Sequence, residues 1–159
     1  MTTPSEAPDR ETHRRLGVDL FNKAWTLMKI PRGTAEEDDE LLHCAHASAY
    51  HWMQAGTLVN RVRSEWQCSR MYTVLGLGEP ALRHARRCLE LAESSPAELE
   101  AFDLPFAYEA MARAHAAGGE AAEADAWLVR ARAAAAGIAD ADDRAVIEAD
   151  LATIPTSPG

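Results

Sequence analysis

Apolar residues recur at intervals of three and four along most of this chain, with polar residues filling the positions between them. Leu16, Leu20, Ala24, Leu27 and Met28 make the first stripe. Pro31 ends it, because proline has no N–H to donate to a helix interior. Thr34 and Glu37 have the spacing of a capping box, and a second stripe follows through Leu41, Leu42, Ala45, Ala49, Trp52 and Met53 as far as Gly56. The pattern predicts a third helix over 57–75 and a fourth starting near Pro80, whose missing N–H is harmless in a first turn. Ser95, Pro96, Ala97 and Glu98 repeat the capping-box form and predict a short extra turn. Asp103 is expected to cap the fifth helix, which carries Phe106, Tyr108, Met111 and Ala112, and residues 120–136 and 140–152 supply the last two. β-Branched residues never alternate over more than a few positions, so the expected fold is all-α, with about seven helices in antiparallel pairs. Residues 1–10 and 155–159 are rich in Pro, Ser and Thr and are expected to be loose, leaving 11–154 as one helical domain.

Within this regularity two stretches share a skeleton of residue types. Ser69 and Tyr72 correspond to Ala112 and His115, Ala81 to Ala124, and Cys88 to Ala131, with glycines between at Gly76 and Gly78 and at Gly118 and Gly119. Two antiparallel helices approach closely only where neither carries bulk, so the small residues mark helix contacts and the glycines mark turns. The pattern resembles the tetratricopeptide repeat over roughly residues 62–136. Tyr108, Met111, Ala112, His115, Ala124, Leu128 and Ala131 match in the second unit, and Cys68, Ser69, Tyr72, Ala81, Ala85 and Cys88 in the first. Glu65 stands where the family has an aromatic, and neither unit has the closing Pro. Tyr72 and His115 are 43 positions apart, against a family period of about 34, and residues 94–104 account for the excess. The resemblance implies a right-handed array of helix pairs with a groove that holds a peptide or another partner.

Composition adds limits. The 159 residues are 47% hydrophobic and 26% charged, enough for one domain with a core. No apolar run has the roughly 18 residues of a membrane span, and no leader-like apolar segment is present, so a cytoplasmic location is expected. Cys44, Cys68 and Cys88 lie apart within helical patterns and read as reduced, partly buried thiols rather than disulfides or a zinc site. The net charge is −9, yet residues 61–87 carry six Arg against Glu65 and Glu79, a net of +4. A net charge of −9 without a nucleic-acid motif argues against a nucleic-acid partner.

Two polar faces carry the candidate chemistry. On the second helix His43, Ala47, Tyr50 and Gln54 share a face, with His46 at its border. His43 and His46 are candidate ligands for a divalent metal, and a solvated face is the alternative. Glu40 and His43 have the Glu-x-x-His form of di-iron bundles, but no second such motif exists in the chain. On the third helix Asn60, Arg63, Gln67 and Arg70 recur on one face, beside Trp66. Guanidinium groups there either hold a carboxylate or phosphate of a ligand, or pair with acids of neighbouring helices. Arg83, Arg86 and Arg87 read as a solvated face. Trp25, Trp52, Trp66 and Trp127 read as core anchors, with Trp52 and Trp66 also candidates to line a pocket. No phosphate loop, nucleophile elbow or zinc-protease motif is present. The resemblance to the tetratricopeptide repeat implies a non-catalytic binding module. Its groove between the second, third and fifth helices holds a peptide or an anionic partner through Asn60, Arg63, Trp66, Arg70, Tyr50 and Tyr108. The alternative is a small-molecule or metal-binding protein, with catalysis open, that uses His43, His46 and Tyr50 together with Arg63 and Arg70.

Overall fold

The computed structural model describes residues 7–157. Residues 1–6 and 158–159 of the expected loose ends lie outside them. Seven α-helices follow one another: α1 (Arg10–Lys29), α2 (Ala35–Ala55), α3 (Leu58–Val74), α4 (Gly78–Ser94), α5 (Asp103–Ala117), α6 (Ala121–Ala136) and α7 (Ala141–Leu151). A single 3-10 turn, Pro96–Glu98, sits between α4 and α5, and the described residues contain no strand.

Local chemistry explains most of the boundaries. The Asp9 carboxylate accepts from the Thr12 N–H and starts α1 one residue inside the stretch expected to be loose. Thr34 and Glu37 form the expected reciprocal capping box at the head of α2. Asp140 accepts from the N–H groups of Asp142 and Asp143 and starts α7. Two expected caps turn out otherwise. Ser95 caps nothing with its side chain and supports its short turn through its carbonyl, which accepts from the Glu98 N–H. Asp103 is already the first residue of α5, and its carboxylate is occupied by Arg63 and the Glu100 N–H. The guanidinium across the helix contact outcompetes the capping role, since a charge-assisted bond is stronger than a neutral one.

Consecutive helices pack as hairpins, and the odd-numbered helices also touch in order: α1 on α3, α3 on α5, α5 on α7. One layer is thus α1, α3, α5, α7, with α2, α4 and α6 each packed against the odd helices beside it. The turns after α3 and α5 close with the same three backbone bonds. Leu75, Gly76 and Leu77 donate to Met71, Thr73 and Tyr72, while Gly118, Gly119 and Glu120 donate to Ala114, Ala116 and His115. Gly76 and Gly119 sit at φ +74° and +76°, the left-handed region that a side chain would strain. The two turns also touch each other: a Cβ on Gly78 would lie 2.6 Å from the Cα and N of Gly118. The small residues of the two units are buried as the spacing predicts, Ser69, Ala81 and Cys88 in the first and Ala112, Ala124 and Ala131 in the second. Cys44, Cys68 and Cys88 are free and buried. No described helix is long and apolar enough to cross a membrane.

Candidate functional site

Along the odd-numbered helices aromatic rings stand side by side. Trp25 of α1 lies 5.5 Å from Trp66 of α3, Trp66 lies 5.5 Å from Phe106 of α5, and Phe106 meets Phe102 edge-on at 6.3 Å. Phe21, Val62, Arg63, Trp66, Phe102 and Phe106 enclose a cavity of about 130 Å³. Phe21 and Arg63 also line a neighbouring cavity of about 150 Å³, which runs on to Val18, Trp52 and Asn60. The two make one groove across α1, α3 and the start of α5, with aromatic walls and few polar groups.

Arg63 stands at the junction. Its guanidinium donates two bonds to Asp103, at 2.8 and 3.3 Å, lies 3.2 Å from Glu100 and covers the Phe102 ring at 5.0 Å. Partial burial works against its charge, and the Asp103 and Glu100 carboxylates outweigh it, so its pKa stands above the ordinary arginine value. Asn60 shapes the groove's end by accepting the Thr57 N–H and hydroxyl at its Oδ1, which fixes the start of α3.

Arg70 lies two turns further along α3 and is committed elsewhere. Its Nη1 donates to the wholly buried Glu109 at 2.9 Å and its Nη2 to Asp150 of α7 at 3.1 Å. Glu109 also accepts from Trp66 Nε1 at 2.9 Å and from Arg113 Nε. Arg113 continues to the Asp150 carbonyl and the Thr153 hydroxyl. Two arginines and two carboxylates therefore balance within one network that ties α3, α5 and α7 together. Such a buried carboxylate is tolerable only because every oxygen is met by a donor.

The structure brings Asn60, Arg63 and Trp66 together at the groove and places Arg70 in the adjoining ion network. Tyr50 and Tyr108 lie apart from both. Tyr50 is exposed and sits edge-on to His13 and His51 in a depression near the start of α1. Tyr108 packs on Trp127 of α6. The two metal candidates also separate. His43 is exposed, whereas His46 donates to or accepts from the Tyr72 hydroxyl at 2.8 Å and lies 5.3 Å from the His84 ring. Burial, with His84 nearby, holds the His46 pKa below the usual imidazole value, and burial raises that of Tyr72. Among the described residues no group of three or more His, Cys, Asp or Glu side chains is placed to hold a metal ion.

Sequence reasoning missed Phe21 and Phe102. The signal for Phe21 is a second apolar stripe on α1, Val18, Phe21 and Trp25 at helical spacing, beside the stripe that packs on α2. It also missed the partners of His46, because Tyr72 and His84 come from two other helices. Comparison of the chain with protein-family models, curated proteins and solved structures finds no match.

Proposed function

We propose that this chain is a non-catalytic binding module, a short tetratricopeptide-like right-handed array whose groove across α1, α3 and α5 holds an extended peptide of a protein partner. The aromatic groove carries this reading. Phe21, Trp66, Phe102 and Phe106 offer a concave apolar surface in which one aliphatic or aromatic side chain is desolvated, the kind of pocket that supplies most of the energy of peptide recognition. The identical turns after α3 and α5 support the repeat assignment.

Of the two occupants the sequence allows, peptide and small anion, the groove favours the peptide. Arg63 faces two carboxylates and Arg70 faces two, so neither presents unmatched positive charge. Glu100 is the surplus charge at the groove, with a side chain 61% exposed. The fitting segment therefore carries an apolar anchor flanked by Lys or Arg. Three free thiols suit a reducing compartment, and the cytoplasm is the proposed location.

The test is selection of random displayed peptides on the immobilised full chain, followed by affinity measurement against Phe21→Ala, which alters both halves of the groove. Enriched peptides should share an apolar residue next to a basic one and bind the variant roughly tenfold more weakly or worse, about the worth of one lost apolar anchor. No enrichment, or binding indifferent to Phe21→Ala, sinks the proposal.

A further inference from the structure

The basic middle of the chain divides in the folded protein. Arg63 and Arg70 are neutralised at the odd-numbered helices, whereas Arg83, Arg86 and Arg87 project from α4 as exposed residues. With Glu65, His84 and Glu90 they line a separate depression of about 470 Å³. Residues three and four apart share a helix face, so the three guanidinium groups stand within one turn of one another.

The charges in this depression do not cancel. The Glu65 carboxylate is engaged by His84 Nδ1 at 2.7 Å, and that of Glu90 by Arg87 at 3.0 Å. Arg83 and Arg86 have no ion-pair partner among the described residues. His84 is held in place as well as hydrogen-bonded: its ring stacks on Tyr72 at 5.6 Å and 18°, and the Tyr72 hydroxyl is fixed by His46. A carboxylate on Nδ1 makes that nitrogen the donor, sets the ring's orientation and leaves Nε2 for a further partner that donates. Among the described residues Nε2 has none.

We propose that this depression binds a phosphate group, free or as the head of an organic ester, between Arg83 and Arg86, beside the His84 ring. Arg83 and Arg86 stand without ion-pair partners among the described residues, and their forked N–H groups match a phosphate's oxygens. A monocarboxylate would use only one of them. The depression has room beyond the phosphate for the organic part of an ester. The site is distinct from the peptide groove and stands or falls without it.

The experiment titrates the isotopically labelled full chain with inorganic phosphate, and separately with phenyl phosphate, at ionic strength held constant with sodium chloride. The His84 ring and arginine side-chain resonances are followed by NMR. The expected result is a saturable shift confined to His84, Arg83 and Arg86, weakened roughly tenfold or more in Arg83→Ala and in Arg86→Ala, about the loss of one charge-assisted bond. Both substitutions are at exposed positions, and unchanged circular dichroism verifies that the variants remain folded. Tighter binding of phenyl phosphate identifies an ester as the ligand, and equal binding identifies phosphate alone; either supports the site. Shifts that never saturate, or that persist undiminished in both variants, overturn it.

Discussion

Replacing Glu109 by Gln tests whether the ion network beneath the groove holds the fold together. Gln keeps the volume of Glu109 but removes the charge and turns one acceptor into a donor. In the native protein one oxygen accepts from Arg70 and Arg113 and the other from Trp66 Nε1. Whichever way the amide is turned, its NH2 faces a donor. The site is buried, with Glu109 at 0% exposure, so water does not relieve the clash. Breaking a buried pair by removing one partner costs about 3 to 5 kcal/mol. Arg70 keeps Asp150, which places the expected loss at the low end, about 3 kcal/mol. For a chain of this size that corresponds to a fall in melting temperature of roughly 6 to 12 °C. Thermal and urea unfolding followed by circular dichroism measure it. Arg87→Ala, which breaks an exposed pair with Glu90, is the control and should change stability by less than about 0.5 kcal/mol. A Glu109→Gln protein that melts within about 2 °C of wild type would refute the reasoning and return Arg70 to the list of groups free to meet a ligand.

Three further outcomes follow from the same structure. Gly78→Ala should cost about 1 to 3 kcal/mol in unfolding experiments, because the added Cβ meets the backbone of Gly118, which has no side chain to move aside. Because burial depresses the folded-state pKa of His46, its neutral form contributes stability above the unfolded value near 6.5, and that contribution is lost as pH falls through the lower folded value. Melting temperature should therefore drop below about pH 6.5, and His46→Gln should flatten that drop. Burial pushes the thiols of Cys68 and Cys88 far up, so a thiol reagent at mildly alkaline pH should leave both unmodified until denaturant is added; modification of the native protein contradicts their placement.

What could be read from the sequence was what depends on near neighbours in the chain. The capping box of Thr34 and Glu37, the glycine turns at Gly76 and Gly119 and the burial of Ala81, Ala124 and Ala131 all follow from local sterics, and spacing reveals them. Spacing also put Asn60, Arg63 and Arg70 on one face of α3. It could not say which neighbour that face meets, and so left open whether Arg63 and Arg70 were free or matched by Asp103 and Glu109, which are 40 and 39 residues away. The cluster of His46, Tyr72, His84 and Glu65 was illegible for the same reason, since each pair in it depends on how α2, α3 and α4 pack. Asp103 shows the limit most plainly. Its residue type suits a helix cap, and a guanidinium from another helix overrides that local preference.

Arg70 and Asp150 are 80 residues apart in sequence, so the bridge between them closes only once α7 has docked on α3 and α5. Without α7, two guanidiniums would share the one Glu109 carboxylate, an excess of positive charge. α7 thus serves as a latch across α3 and α5. A chain cut before Asp150 would leave this charge unmatched, which raises its unfolded fraction and its exposure to proteases.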